Sequence, residues 1–507
     1  MMGLLLLGPL LIRFITAIAL MFSWRQIVWQ RYMSVVGELL AVGLSAALFS
    51  KVQQSGTLVM QGGGWAAPYG ISFVADSFAA MLLLVTSLVG LGVSLFAAGS
   101  MLNNRLRFGF YPIYHLLLAG ISGAFLAGDI FNLYVWFEVM IISSFVLLTL
   151  GGERAQIEGA VKYFTLNFLA SIIFLTALAV LYGLTGTLNM ADISLKLAAI
   201  EQRSLVDICA FILLVAFGIK SAVFPLYFWL PASYHTPPVA VTAIFGGLLT
   251  KVGVYAIIRV ISLMFPWDDF IAELLGWVAV LTIFSGGLGA MVQKHVVKAL
   301  AWLIICHIGL MLAAVATHQQ QALSGALFYM VHDMIAKTGV FLATGIMYRL
   351  VASHLYSRMG GLMQRHPYWS LLLAIPLFSL VGIPPLSGFW PKLSMLNGMA
   401  QTAQWWYFGA VLVGSLITLV VVVRLWIEVF WKPEAGEAVP GFRYFHQYPL
   451  AKQRAMLLGL LVVAGCSLLM VYFVPELQNW STQAAADLLQ PGAYIQEVLK
   501  LKGAPLP

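Results

Sequence analysis

Runs of about twenty apolar residues, parted by short polar segments, recur from one end of the chain to the other. At 1.5 Å per residue each run is long enough to cross roughly 30 Å of hydrocarbon. They predict helices, because lipid offers no partner to unpaired backbone groups. Apolar runs read against loop signals place spans near 3–22, 33–50, 71–97, 112–127, 129–150, 161–183, 206–231, 239–262, 271–292, 297–316, 323–349, 368–402, 405–431 and 455–475, about fourteen in all. The expected fold is an all-α polytopic membrane protein. From about Val474 the tail reads as a peripheral amphipathic segment suited to a partner. The first run, MMGLLLLGPLLIRFITAIALMF, lacks a basic lead-in and a small-residue cleavage site and is followed closely by another run, so it reads as a retained helix.

Two of the runs are interrupted by proline, in FGIKSAVFPLYFWLP (Pro225, Pro231) and in VGIPPLSGFWPKL (Pro384, Pro385, Pro391). Interior proline removes a backbone donor, which lipid tolerates only where the freed carbonyls meet protein or water. Paired broken helices point to a transporter with internal repeats and a site at the bilayer midplane. Lys220 precedes one break and Lys392 follows the other.

Composition supports this picture: of 507 residues 61% are hydrophobic and only 9% charged, with a mean hydropathy of +0.94, whereas soluble domains are nearer a quarter charged. The net charge of +8 comes from basic residues scattered through the loops, which excludes a nucleic-acid-binding block and reads as topology-setting charge. Loops after odd-numbered runs hold most of it, among them Arg25, Arg105, Arg154, Lys294, Arg358 and Arg443, so both termini are expected on the non-cytoplasmic side. Cys209, Cys306 and Cys466 stand apart, with no CxxC pair and no histidine at ligand spacing, and read as packing residues. No P-loop, no GxGxxG after a strand and no HExxH is present, so no cofactor, metal or catalytic residue is expected.

The charges that fall inside apolar runs carry the functional signal. Each costs about 2.5–3.5 kcal/mol on insertion scales and therefore asks for a partner or a role. In GDIFNLYVWFEVM, Asp129 follows Gly128 at a helix start and reads as an N-cap. Glu138 lies roughly 13 Å further along the helix, near the bilayer centre. Lys220, Lys251, His332, Asp333, Lys337 and Lys392 also fall inside apolar runs. Such a series over five helices reads as a proton or cation path. Lysine suits a relay because a desolvated ammonium gives up its proton readily. A glutamate about 4 Å away, at an effective dielectric near 20, attracts it by roughly 4 kcal/mol, enough to control that proton. Asp333 and Lys337 are four residues apart, a spacing that also fits simple mutual neutralisation. His307 and His332 each fit either a proton-carrying link or a satisfied interior histidine. Asp76, Arg259, Arg349, Arg424 and Glu428, near helix ends, read as snorkelling or interface charges, and Arg13, in the middle of the first run, has no account from sequence.

GDIFNLYVWFEVMIISSFVLLTLGG, PLYFWLPASYHTPPVAVTAIFGGLLTKVGVYAIIR and GIPPLSGFWPK closely resemble the proton-translocating antiporter-like family shared by Mrp-type cation/proton antiporters and the membrane arm of respiratory complex I. Length and the second stretch most resemble the D-subunit branch of the Mrp antiporters. The resemblance implies fourteen helices: 1–111 as helices one to three, 112–262 and 271–431 as two inverted five-helix repeats whose seventh and twelfth helices are broken, and 432–507 as the last helix and tail. It implies a proton relay of Glu138, Lys220, Lys251, His332, Lys337 and Lys392 along the midplane; His307 and Asp333, read from the residues themselves, are secondary candidates. It also implies a bacterial cell-membrane subunit that moves protons against a monovalent cation, Na+ foremost, within a hetero-oligomer of membrane subunits. The other function it implies is a pumping subunit of a complex I-like NADH:quinone oxidoreductase or membrane-bound hydrogenase. The sequence departs from the family pattern at AWLIICHIG, where Leu303 and Cys306 replace polar groups and His307 appears, and at Asp333, an added charge.

Overall fold

The computed structural model describes residues 2–433 and 439–501. The principal helices are α1 (Met2–Phe22), α2 (Ile27–Ser55), α3 (Ser77–Ser100), α4 (Phe110–Leu126), α5 (Ile130–Thr149), α6 (Arg154–Thr185) and α7 (Arg203–Ser221). They continue as α8 (Val239–Met264), α9 (Asp269–Met291), α10 (Val296–Ala316), α11 (Gln320–Val351), α12 (Pro367–Val381), α13 (Trp405–Trp431) and α14 (Leu450–Tyr472). Among the described residues twelve helices are long and apolar enough to cross a membrane, and α4 and α12 are shorter apolar helices. The chain is thus an all-α polytopic membrane protein.

Several helices outrun their apolar stretches. α2 begins at Ile27 rather than near 33, and α6 at Arg154 rather than near 161. Their first two to three turns carry Arg31, Arg154, Glu158 and Lys162, which keep helical backbone, so the helix runs past the end of its apolar stretch. The run expected from 71 divides instead. Ser72–Ala75 is a strand paired antiparallel with Leu58–Gln61, and Asp76 then caps α3 by accepting from Ala79 N at 2.9 Å.

Both proline interruptions are real breaks. α7 ends with Ala222 at φ +60, and helix resumes only at Trp229–Ser233. α12 ends with Gly382 at φ +82 and resumes at Phe389–Gln401. Side chains take up freed carbonyls at each: Trp229 Nε1 donates to Ile219 O at 2.9 Å, and Lys392 Nζ donates to Val381 O at 2.8 Å. α8 is distorted by a π-turn over Phe245–Leu249, directly before Lys251.

α3, α8, α10 and α11 are the most buried helices, while α1, α2, α6 and α14 turn more of their surface outward. Gly3 approaches Met60, and Gln61 Nε2 donates to Val498 O at 3.4 Å, so the N-terminal helix and the tail meet on the hairpin's face. The tail forms two helices, Val474–Leu489 and Gly492–Leu499. The first is held against the body, with Gln478 Nε2 donating to Ser324 Oγ at 2.9 Å and Ser394 Oγ at 3.1 Å.

Candidate functional site

The buried lysines and the groups around them fall into three sets along the interior. The first lies between α5, α6 and α7. Lys220 is 4% exposed, one residue before the end of α7, and its Nζ donates to Ser171 Oγ on α6 at 3.1 Å while lying 4.7 Å from the centre of the Phe137 ring. Glu138 follows Phe137 on α5. Its Oε1 is buried without a hydrogen-bond partner, and no ion pair joins it to Lys220 among the described residues. Ser171, unmarked in the sequence, is the group to which the Lys220 ammonium is hydrogen-bonded.

The second group is central. Lys251 on α8 is wholly buried, with Nζ 2.6 Å from Asp333 Oδ2 and donating to Gly246 O, a carbonyl of the π-turn, at 3.0 Å. The other oxygen of Asp333 lies 3.0 Å from His307 Nδ1, and His307 Nε2 is bonded to Thr418 Oγ1 on α13 at 3.1 Å. Asp333 is therefore the hub that joins α8, α10 and α11. The i,i+4 spacing suggested that it neutralises Lys337, but its close partner is Lys251, and Lys337 Nζ is buried with no hydrogen-bond partner. The helical repeat puts two residues near each other; the packing of a third helix decides which one is paired.

The third group surrounds the second break. His332 Nδ1 is bonded to Ser387 Oγ at 3.0 Å, and Ser387, Ser379 and Ser467 form a closed ring of hydroxyls at 2.6, 2.9 and 3.0 Å. His332 Nε2 has no partner. Lys392 lies 5.8 Å from the centre of the Tyr329 ring, whose centre is 5.5 Å from the His332 ring and 5.7 Å from His307. Tyr329 thus stands between the central and third groups, and its hydroxyl too is buried and unpartnered.

Other sequence readings change. Asp129 is an N-cap: Asn132 N donates to Oδ1 at 2.7 Å and Ser72 N to Oδ2 at 3.2 Å. Asp76 and Arg259, read as interface charges, are buried and paired with each other at 2.6 Å, tying α3 to α8. Arg13 is wholly buried and paired with Glu38 at 3.3 Å, with His115 on the same carboxylate. Glu38 and His115 lie inside apolar runs, as Glu138 does, so the criterion that singled out Glu138 applies to them equally. Thr418, Ser171, Ser387 and Ser467 carry no such signal, since single hydroxyls are common in apolar helices.

On the face bearing most of the loop arginines, a cavity of about 440 Å³ opens between the two proline-broken halves, lined by residues that include Arg105, Glu153, His235, Arg349 and His354. Antiparallel pairing of segment 294–296 with 354–356 brings His295 beside His354, with ring centres 5.3 Å apart. Burial lowers the pKa of His295 to about 4 and of His354 to about 3, so both are uncharged near neutrality.

Residues 127–418, from just before α5 to the middle of α13, match the family described as NADH:quinone oxidoreductase/Mrp antiporter, TM. The chain belongs to that family. Among its relatives is the D-type Na(+)/H(+) antiporter subunit of Bacillus subtilis, 39% identical over 497 residues that cover 97% of this chain and 98% of the relative. Among solved structures, a chain of the Mrp complex from Dietzia sp. DQ12-45-1b superposes with a TM-score of 0.85 at 28% identity, covering 98% of this chain and 99% of that one. A chain of the membrane-bound sulfane sulfur reductase, an archaeal respiratory membrane complex, gives 0.87 at 28% identity with the same coverage. The matched segment of the antiporter family contains every relay candidate named from the sequence.

Proposed function

We propose that this chain is a subunit of a monovalent cation/proton antiporter, Na+ foremost, and that it carries the proton through the three buried groups. It is a transporter subunit and not an enzyme, and it works among other membrane subunits. The observation that carries the proton reading is the central group. There the wholly buried Lys251 is paired with Asp333, the equally buried Lys337 stands one helical turn from that carboxylate without a hydrogen-bond partner of its own, and Lys392 lies beyond Tyr329. A buried charge without a partner is strongly unfavourable, so a proton arriving at one lysine favours release at the next. In this reading Glu138 controls proton loading at Lys220, Lys251 and Lys337 exchange the carboxylate of Asp333, and His332 with the serine ring connects Lys337 to Lys392. His307 and Thr418 hold Asp333 in place.

The reading extends to topology. The segments 112–262 and 271–431 are two inverted repeats, each with one broken helix. The basic face is cytoplasmic, both termini lie on the opposite side, and the membrane is the bacterial cell membrane. Similarity to the sulfane sulfur reductase chain supports a second reading, a pump powered by redox chemistry in a complex I-like assembly.

The test is Glu138→Ala in inverted vesicles carrying the whole complex. Cation-dependent dissipation of a pH gradient is expected to be lost at normal assembly. Retained exchange at full assembly would remove Glu138 from the path. Failure of the unaltered complex to exchange any cation would favour the redox reading.

A further inference from the structure

Outside the lysine groups, α1, α2, α3 and α4 enclose a second set of ionisable side chains. Arg13, Glu38 and His115 are all wholly buried. Arg13 Nη2 lies 3.3 Å from Glu38 Oε2, while His115 Nδ1 faces Glu38 Oε1 at 3.2 Å with no aligned hydrogen bond. α3 leaves room for this carboxylate at Gly90, where a Cβ would stand 2.6 Å from Glu38 Oε2.

Hydroxyls extend the cluster in both directions. His115 Nε2 is bonded to Ser34 Oγ at 2.9 Å, and Ser34 Oγ to Ser94 Oγ at 2.8 Å. On the other side Arg13 donates to Ser87 Oγ at 2.9 Å and to Ser122 Oγ, and Ser87 is bonded to Ser45 at 2.8 Å. One helical turn beyond Ser34 and His115, towards the basic face, Gln30 Oε1 and Tyr111 Oη are buried without a partner. Glu38 is eleven residues into α2, roughly 16 Å of helix from its start on that face.

An arginine–glutamate pair neutralises itself and needs no third ionisable group. Here an imidazole shares the carboxylate, and on its side a file of hydroxyls leads to unpartnered polar atoms towards the basic face, whereas the hydroxyls on the other side, Ser122, Ser87 and Ser45, are tied to Arg13 directly or through Ser87. At the inner end the Arg13 guanidinium, all donors and no acceptor, leaves no room for a cation's ligands, so the cluster suits a proton and not a metal ion. The charged group facing His115 is Glu38 from α2, which Arg13 of α1 pairs through its other oxygen; α3 offers Ser94 and Gly90, and α4 itself Ser122 and Tyr114. We propose that Glu38 and His115 form a proton-binding site separate from the lysine groups, loaded from the basic face past Gln30, Tyr111, Ser34 and Ser94, and closed towards the other face by Arg13. An added proton is held on His115 Nδ1 against Glu38, and it leaves by the same route.

The role of this proton in exchange rests on the antiporter reading; its binding does not. His115→Gln leaves the Arg13–Glu38 pair intact and is the variant of choice, with Ser34→Ala interrupting the file without touching either charge. In vesicles carrying the whole complex, with pH varied on each side in turn, His115→Gln should move the exchange profile to lower pH only for the basic face, whatever the change in maximal rate. Ser34→Ala should slow the response to a pH jump on that face. Wild-type profiles for both variants at full assembly would overturn the proposal. If the unaltered complex exchanges no cation, pH-difference infrared spectra of the purified complex decide instead. An imidazole signal lost in His115→Gln supports the site, and identical spectra overturn it.

Discussion

Asp333→Ala is the most informative single change. The carboxylate is wholly buried, 2.6 Å from Lys251 Nζ and 3.0 Å from His307 Nδ1. At 2.6 Å and an effective dielectric near 20, the attraction to Lys251 is about 6 kcal/mol before the desolvation of both partners offsets much of it. Removing one member of a buried pair exposes that desolvation, and the usual loss is about 3–5 kcal/mol, a large share of the roughly 5–15 kcal/mol that holds most domains folded. Asp333→Ala should therefore lower the amount of assembled complex and its heat resistance, as well as abolish exchange. Asp333→Leu combined with Lys251→Met removes both charges, and such replacements are often neutral or stabilising. The double variant should recover heat resistance close to that of the unaltered complex and still fail to exchange. The assay is a double-mutant cycle on the heat-induced loss of extracted complex, with exchange measured in parallel vesicles. Two results would refute the reasoning: Asp333→Ala as stable as the original, or a double variant no better than the sum of the singles.

Lys392→Ala should block exchange at normal assembly, because the hydrogen bond it makes is to Val381 O at the break and a water can replace it there; normal turnover would argue against a path that reaches this lysine. Gly286→Ala should destabilise by about 1–3 kcal/mol through overpacking, since a Cβ would stand 2.3 Å from Cys306 N on α10. That loss should appear in thermal denaturation while the cation preference of the surviving complex stays unchanged.

Spans, breaks and most buried charges could be read from the sequence because lipid makes each of them conspicuous. A charge in an apolar run and a proline in a long helix are both rare, and each left its mark at Lys220, Lys251, Pro225 and Pro384. Pairings could not be read in the same way. Asp333 is four residues from Lys337 and eighty-two from Lys251, yet Lys251 is its partner, because the π-turn before Lys251 and the packing of α8 on α11 set the distance. For Lys220, expected beside Glu138, no ion pair to that glutamate forms among the described residues, and the hydrogen bond of its ammonium goes to Ser171, a hydroxyl that no sequence signal marked. Arg13 was conspicuous but unexplained, since its partners Glu38, Ser87 and Ser122 lie on other helices, 25, 74 and 109 positions away.

The central group yields one more discriminating expectation, in the order of stability among variants that all lose transport. Lys337→Met removes a cation whose Nζ has no hydrogen-bond partner and leaves the Lys251–Asp333 contact whole. Lys251→Met deprives Asp333 of its close partner, but Lys337 is one helical turn away and can take up the carboxylate at the i,i+4 spacing. Asp333→Ala has no such substitute, since no other carboxylate contacts either lysine among the described residues. Heat resistance should therefore fall in the order Lys337→Met, Lys251→Met, Asp333→Ala, with the first near that of the unaltered complex. A relay in which Asp333 passes between two lysines requires this asymmetry, because the carboxylate then has two alternative partners and each lysine has one. Equal destabilisation by Lys337→Met and Asp333→Ala would mean that Lys337 is held by Asp333 as firmly as Lys251 is, and the exchange of partners at the centre of the path would be wrong.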